Sequence, residues 1–137
     1  MLKKVKVRID SVTESCDEGI TDKVREIADG YIKYDESGVL LLSYKTKSES
    51  GEITTEITSE DGGFFVRRKG AIQSGFLLSS GKRHDSLYII PPYSFDMTVE
   101  ATRVCHSLSK DGGELFFEYS MTVGNEQRTC SLRLVAE

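Results

Sequence analysis

The sequence predicts an all-β protein, a single antiparallel barrel of about eight to ten strands. Three observations carry this reading. Apolar residues recur at every second position over several stretches, the period of a strand with one buried face. Turn signals rich in Gly, Asp, Asn and Ser punctuate those stretches at close intervals. Segments with helical spacing are few. A meander of hairpins leaves two unpaired edges unless it closes, which favours a barrel over an open sheet. A chain of 137 residues amounts to one domain, 1–137.

The elements follow in order. Val5, Val7 and Ile9 alternate with Lys4, Lys6, Arg8 and Asp10 and read as a first strand. The acidic stretch from Glu14 to Asp22 reads as a mobile loop behind it. Next comes a segment with two readings. Val24, Ile27, Ala28 and Tyr31 form a helical stripe after a Thr21 or Asp22 cap, supporting a short helix over 22–29, while Tyr31-Ile32-Lys33-Tyr34 alternates as a strand. Ile53, Thr55 and Ile57 alternate with Glu52, Thr54, Glu56 and Thr58. Phe95, Met97, Val99 and Ala101 do the same with Asp96, Thr98, Glu100 and Thr102. The clearest strand is Leu115, Phe117, Tyr119, Met121 and Val123. Between the runs stand Asp35-Glu36-Ser37-Gly38, Ser48-Glu49-Ser50-Gly51, Glu60-Asp61-Gly62-Gly63, Lys110-Asp111-Gly112-Gly113 and Gly124-Asn125.

Charge and hydropathy exclude several classes. Lys and Arg number 18 against 22 Asp and Glu, a net charge of −4, which argues against a nucleic-acid partner. The apolar run Val39-Leu40-Leu41-Leu42 falls far short of the roughly 20 residues a membrane span needs, so no membrane partner is expected. The first residues alternate charge with aliphatic side chains and lack the continuous apolar stretch of a signal peptide, so a cytoplasmic location is expected. Cys16, Cys105 and Cys130 are odd in number and widely spaced; they read as reduced thiols, two of them within strands.

Chemistry-bearing motifs are sparse. Gly75 to Lys82 has the wrong glycine spacing for a phosphate loop, and Arg83 stands where a magnesium-binding Ser or Thr belongs. Ser79-x-x-Lys82 and Ser107-x-x-Lys110 match an acylating-hydrolase spacing but fall at strand ends. His84 and Asp85 are neighbours, so in a strand they point to opposite faces. Neither histidine has a carboxylate cluster for a metal, and no cofactor is implied. No catalytic constellation emerges.

The informative feature is basic. Arg67-Arg68-Lys69 ends one strand and Lys82-Arg83-His84 begins another. Alternation sends about half of each set inward if a barrel closes, and an inward Arg needs a carboxylate, solvent or a bound anion. Three readings follow: solvated surface charge, an Arg buried against an internal Glu or Asp, and an anion-binding group in a cavity. On the last, the candidate ligand-binding residues are Arg67, Arg68, Arg83 and His84 as anchors, with Tyr88 and Tyr93 as walls.

Arg68-Lys69-Gly70, Gly81, Tyr88, Pro91 and Tyr119-Ser120-Met121-Thr122-Val123-Gly124-Asn125-Glu126-Gln127 give the chain a resemblance to the YwiB-like family of small uncharacterised bacterial proteins. It extends from about Gly30 to the C-terminus. The resemblance implies a calycin-like barrel, akin to lipocalins and fatty-acid-binding proteins, and no activity. It also favours a strand over 22–34, because Gly30 matches a family glycine. The chain departs from the family at Leu78, where an aromatic is usual, and at Pro92-Tyr93, where an aromatic–Gly pair is. The secreted lipocalins' Gly-x-Trp signature is absent. Two functions fit: a small apolar or anionic molecule held inside the barrel, or a filled barrel acting through a surface patch or a homodimer.

Overall fold

Alternating sequence becomes alternating burial throughout the protein, a computed structural model that describes residues 2–16 and 18–137. Ten strands follow one another: β1 (Leu2–Ser15), β2 (Thr21–Tyr34), β3 (Leu40–Ser48), β4 (Gly51–Glu60), β5 (Gly63–Gly70), β6 (Gln73–Leu78), β7 (Arg83–Ile90), β8 (Tyr93–His106), β9 (Gly113–Val123) and β10 (Glu126–Ala136). Each pairs antiparallel with its chain neighbours, and β10 returns to β1 to close a barrel. Among the described residues no helix is long and apolar enough to cross a membrane.

The segment with two readings is a strand. Residues 22–29 lie within β2, which is zipped to β1 from Leu2↔Lys33 to Glu14↔Thr21. The helical stripe has no common face here: Ala28 points into the barrel while Ile27 points out, 68% exposed. The continuous ladder with β1 satisfies the backbone, and that outweighs the weak helical preference of a short stripe. For the same reason the loop expected over Glu14 to Asp22 shrinks to a turn. β1 runs on to Ser15, whose N–H donates to the Ile20 carbonyl at 2.9 Å. Asp17 lies outside the described residues. Gly30 marks where β2 first meets β3; a Cβ there would collide with the Ser43 carbonyl. Tyr93, where the resemblance implies a glycine, needs no left-handed backbone, since among the described residues only glycines have positive φ.

Turns divide the molecule into two ends. At one end the interior is apolar and filled: Val7, Leu42, Val66, Leu78, Leu115 and Phe117 are inaccessible to solvent. Leu108, from the turn after β8, lies over this end. Phe117 meets Phe64 edge-on at 5.7 Å. The other end, carrying the β1–β2, β3–β4, β5–β6, β7–β8 and β9–β10 turns, has inward positions that turn polar and aromatic.

Two seams in the wall are short. β2 pairs with β3 only from Gly30 to Tyr34. β6 pairs with β7 only at Gln73↔Ile89 and Ser74↔Tyr88, beyond which the strands part. The β2–β3 seam opens toward the polar end, whereas the β6–β7 seam opens toward the filled end.

Candidate functional site

Directly opposed residues of antiparallel strands share a face, so the registers assemble a row across the inside of the polar end. Tyr44 on β3 faces Thr55 on β4, and Thr55 faces Arg68 on β5. Arg68 faces Ser74 on β6, Ser74 faces Tyr88 on β7, and Tyr88 faces Phe95 on β8. Tyr119 on β9 faces Cys130 on β10 along the neighbouring wall. Six strands thus present one cation among hydroxyls and rings.

Arg68 is the centre of this row. Its guanidinium lies 5.8 Å from the Phe76 ring. Burial opposes its charge, while Tyr119, Tyr44 and Tyr88 favour it strongly enough that the net direction is upward. At neutral pH those phenols are uncharged, so what they supply to the cation is dipoles and not counter-charge. None of the ion pairs among the described residues includes Arg68. The side chain nevertheless keeps part of its surface accessible. Beside it the Ser74 hydroxyl is buried without a hydrogen-bond partner, and so is the Ser86 hydroxyl further along β7. A cleft of about 440 Å³ between Lys69, Gln73, Leu87 and Ile89 reaches Arg68 and Ser74 from outside.

The surrounding groups are tuned by enclosure. Burial pushes the Tyr119 hydroxyl up to about 12 despite the opposing pull of Arg68. Burial likewise raises Tyr44. The Cys130 thiol is raised by burial too, which keeps it protonated and a poor nucleophile. Arg128 faces inward near Tyr88 and Cys130, but Glu126 holds it in a two-point fork, Nη2 to Oε2 at 2.9 Å and Nε to Oε1 at 3.1 Å. The two inward guanidiniums therefore differ: one is neutralised, the other is not.

The six residues singled out from the sequence separate accordingly. Arg68 and Tyr88 meet on the row. Tyr93 shares their face by its register with Ile90, at the rim of the β7–β8 hairpin, 67% exposed. Arg67 points outward over the Phe65 ring at 5.7 Å. Arg83 also points outward, paired with Asp85 at 3.3 Å. His84 fills the β6–β7 seam, where its Nδ1 accepts the Leu77 N–H at 3.4 Å. That bond serves a donor left over where β6 and β7 part. Sequence reasoning missed Tyr44, Thr55, Ser74, Tyr119 and Arg128. Their signal was phase: Tyr119 keeps step with Leu115 and Phe117, Tyr44 with Leu42, and Arg128 with Leu132 and Leu134.

Neither Ser-x-x-Lys pair forms a nucleophile. Ser79 donates its hydroxyl to the Gly62 carbonyl at 2.7 Å, and the Ser107 hydroxyl accepts the Glu114 N–H. Among the described residues no group of His, Cys, Asp and Glu is placed to hold a metal.

The profile of the domain of unknown function DUF1934 matches residues 7–134. The chain belongs to this family. A solved structure shares the DUF1934 chain's architecture: the YwiB protein of Bacillus subtilis aligns over 99% of this chain and 93% of its own, with TM-score 0.84 and 17% identity. At that identity the likeness is one of fold. A Bacteroides ovatus protein of unknown function aligns over 96% of this chain and 41% of its own at TM-score 0.38 and 16% identity, too low for a structural argument. No curated protein matches the chain.

Proposed function

We propose that this DUF1934 barrel binds a small organic anion at its polar end, with Arg68 as counter-ion and Tyr44, Tyr88 and Tyr119 as walls. One observation carries the reading: a guanidinium enclosed by the barrel without a carboxylate, beside an unpartnered Ser74 hydroxyl. Leaving a charge so placed is costly, and charge-assisted hydrogen bonds from a carboxylate or similar group offset that cost. The filled apolar end restricts the ligand to the outer half of the interior. Tyr93 and Phe95, exposed on the inward face of the hairpin above, suit its apolar portion. The exposed thiols of Cys16 and Cys105 suit a reducing compartment, the cytoplasm.

The test is titration with an anionic naphthalenesulfonate dye, followed by competition with small aromatic and aliphatic carboxylates. Arg68→Met is expected to weaken dye binding at least roughly tenfold, the value of a lost charge-assisted bond. Arg83→Met, outside the barrel and away from the cleft that reaches Arg68, leaves it unchanged. Equal affinity of the Arg68→Met variant and the native protein would sink the proposal.

A further inference from the structure

We infer that the free edge of β2 is a self-association surface, on which a second copy of this chain lays its own β2 antiparallel, the two strands crossing at Ile27. The inference is independent of the ligand reading. β2 is paired with β1 along its length but with β3 only from Gly30 onward. Residues Thr21 to Asp29 therefore turn one row of backbone N–H and C=O groups toward a gap. That gap, about 230 Å³ between Glu26–Ala28 and Lys45–Lys47, separates the edge from the nearest strand. An unpaired strand edge is a template for another strand unless prolines, bulges or inward charges blunt it. This one carries no proline and no bulge in its ladder with β1, and its inward charge, Glu26, falls opposite the partner's Ala28 in the pairing described below. Instead it displays Ile27, 68% exposed and the most exposed large apolar side chain among the described residues, with Val24 at 47% on the same edge.

Self-complementarity selects a second copy as the occupant. Two-fold antiparallel pairing places residues symmetrically about a central one, on a shared face. Centred on Ile27, it stacks Ile27 on the partner's Ile27. It also sets Arg25 opposite the partner's Asp29, and Asp29 opposite the partner's Arg25. Centring on Arg25 or Glu26 opposes like charges at the axis. Centring on Val24 opposes Lys23 to the partner's Arg25 and Asp22 to the partner's Glu26. Only the Ile27 register is both apolar at its axis and charge-matched on either side. Arg25 now pairs with Asp10 and Asp29 with Lys6, but these bridges are exposed, so exchanging partners costs little. The paired stretch is short, so the assembly is a concentration-dependent equilibrium and not an obligate dimer.

Sedimentation velocity over a wide concentration range tests it, with circular dichroism as a check on folding. The native chain is expected to pass from monomer to dimer as concentration rises. Ile27→Lys weakens dimerisation at least tenfold without altering the fold, its site being solvent-exposed. Arg25→Asp, which sets like charges together twice, also weakens it, and the double variant Arg25→Asp/Asp29→Arg restores it. On a Cys16→Ser/Cys105→Ser background, Ile27→Cys cross-links to a disulfide dimer, since opposed residues lie within disulfide reach. Arg68→Met leaves sedimentation unchanged, which separates this inference from the ligand reading. A strict monomer at all concentrations overturns it. So does a dimer indifferent to Ile27→Lys, a charge swap that fails to restore, or an edge that takes only extended peptides of other sequence.

Discussion

The two ends of the barrel share one topology and use it differently. At the filled end most inward positions are apolar, His84 and His106 being exceptions by their registers with Val99 and Leu115, and side chains from facing walls touch, as Phe64 and Phe117 do. At the polar end the same alternation delivers Tyr44, Thr55, Arg68, Ser74 and Tyr88 to the interior, and the wall parts at the β2–β3 seam. The first arrangement excludes water from packed apolar groups; the second encloses a cation that has no ion-pair partner among the described residues. A barrel of this size can be solid or hollow; here one end is filled with apolar side chains and the other lines its interior with hydroxyls, rings and a guanidinium.

The sharpest way to test that contrast is to cut a large side chain from each end. Phe117→Ala should cost about 3–5 kcal/mol, the usual loss for a fully buried ring, read from the urea unfolding midpoint. A loss below about 1 kcal/mol would mean the filled end is not close-packed.

The next effect is alkaline. Tyr119 is held neutral in the folded protein up to about 12 by burial, whereas an unfolded tyrosine ionises near 10. Between those values the unfolded chain releases a proton that the folded one keeps. The stabilisation is thus complete below pH 10 and is lost as pH rises toward 12. The loss is on the order of 2 kcal/mol by this linkage. Denaturant midpoints at pH 9 and 11 measure it, and Tyr119→Phe should flatten the dependence. A native protein with no such slope would show that Tyr119 ionises in place.

The smallest effect has the opposite sign. Arg68→Met removes an enclosed charge that lacks a carboxylate, so thermal stability should hold or rise by about 1 kcal/mol even as anion binding falls. Destabilisation by more than that would reveal a structural role for the guanidinium in the unliganded barrel.

Sequence and structure agree best where a rule has one outcome. Period-two alternation in Leu115 to Val123 admits only a half-buried strand, and β9 is that strand. At 22–29 local spacing admitted a helix, because pairing with β1 depends on residues some twenty positions away and leaves no local mark. The site divides the same way. Alternation implied that one of Arg67 and Arg68 turns inward, but only register says which, and only register brings Tyr44 and Tyr119 to it. His84 was invisible as a seam filler, since nothing in its neighbours announces that β6 and β7 part.

The closure of the barrel has a consequence for how it forms. Nine of its ten strand pairings join consecutive strands, and one, β1 with β10, spans nearly the whole chain. Consecutive hairpins close small loops, whereas the last pairing must close a very large one, and closure entropy grows with loop length. That pairing is therefore the step at which a curling ribbon with two sticky borders becomes a cylinder, and the rate of folding depends most on how fast those borders find each other.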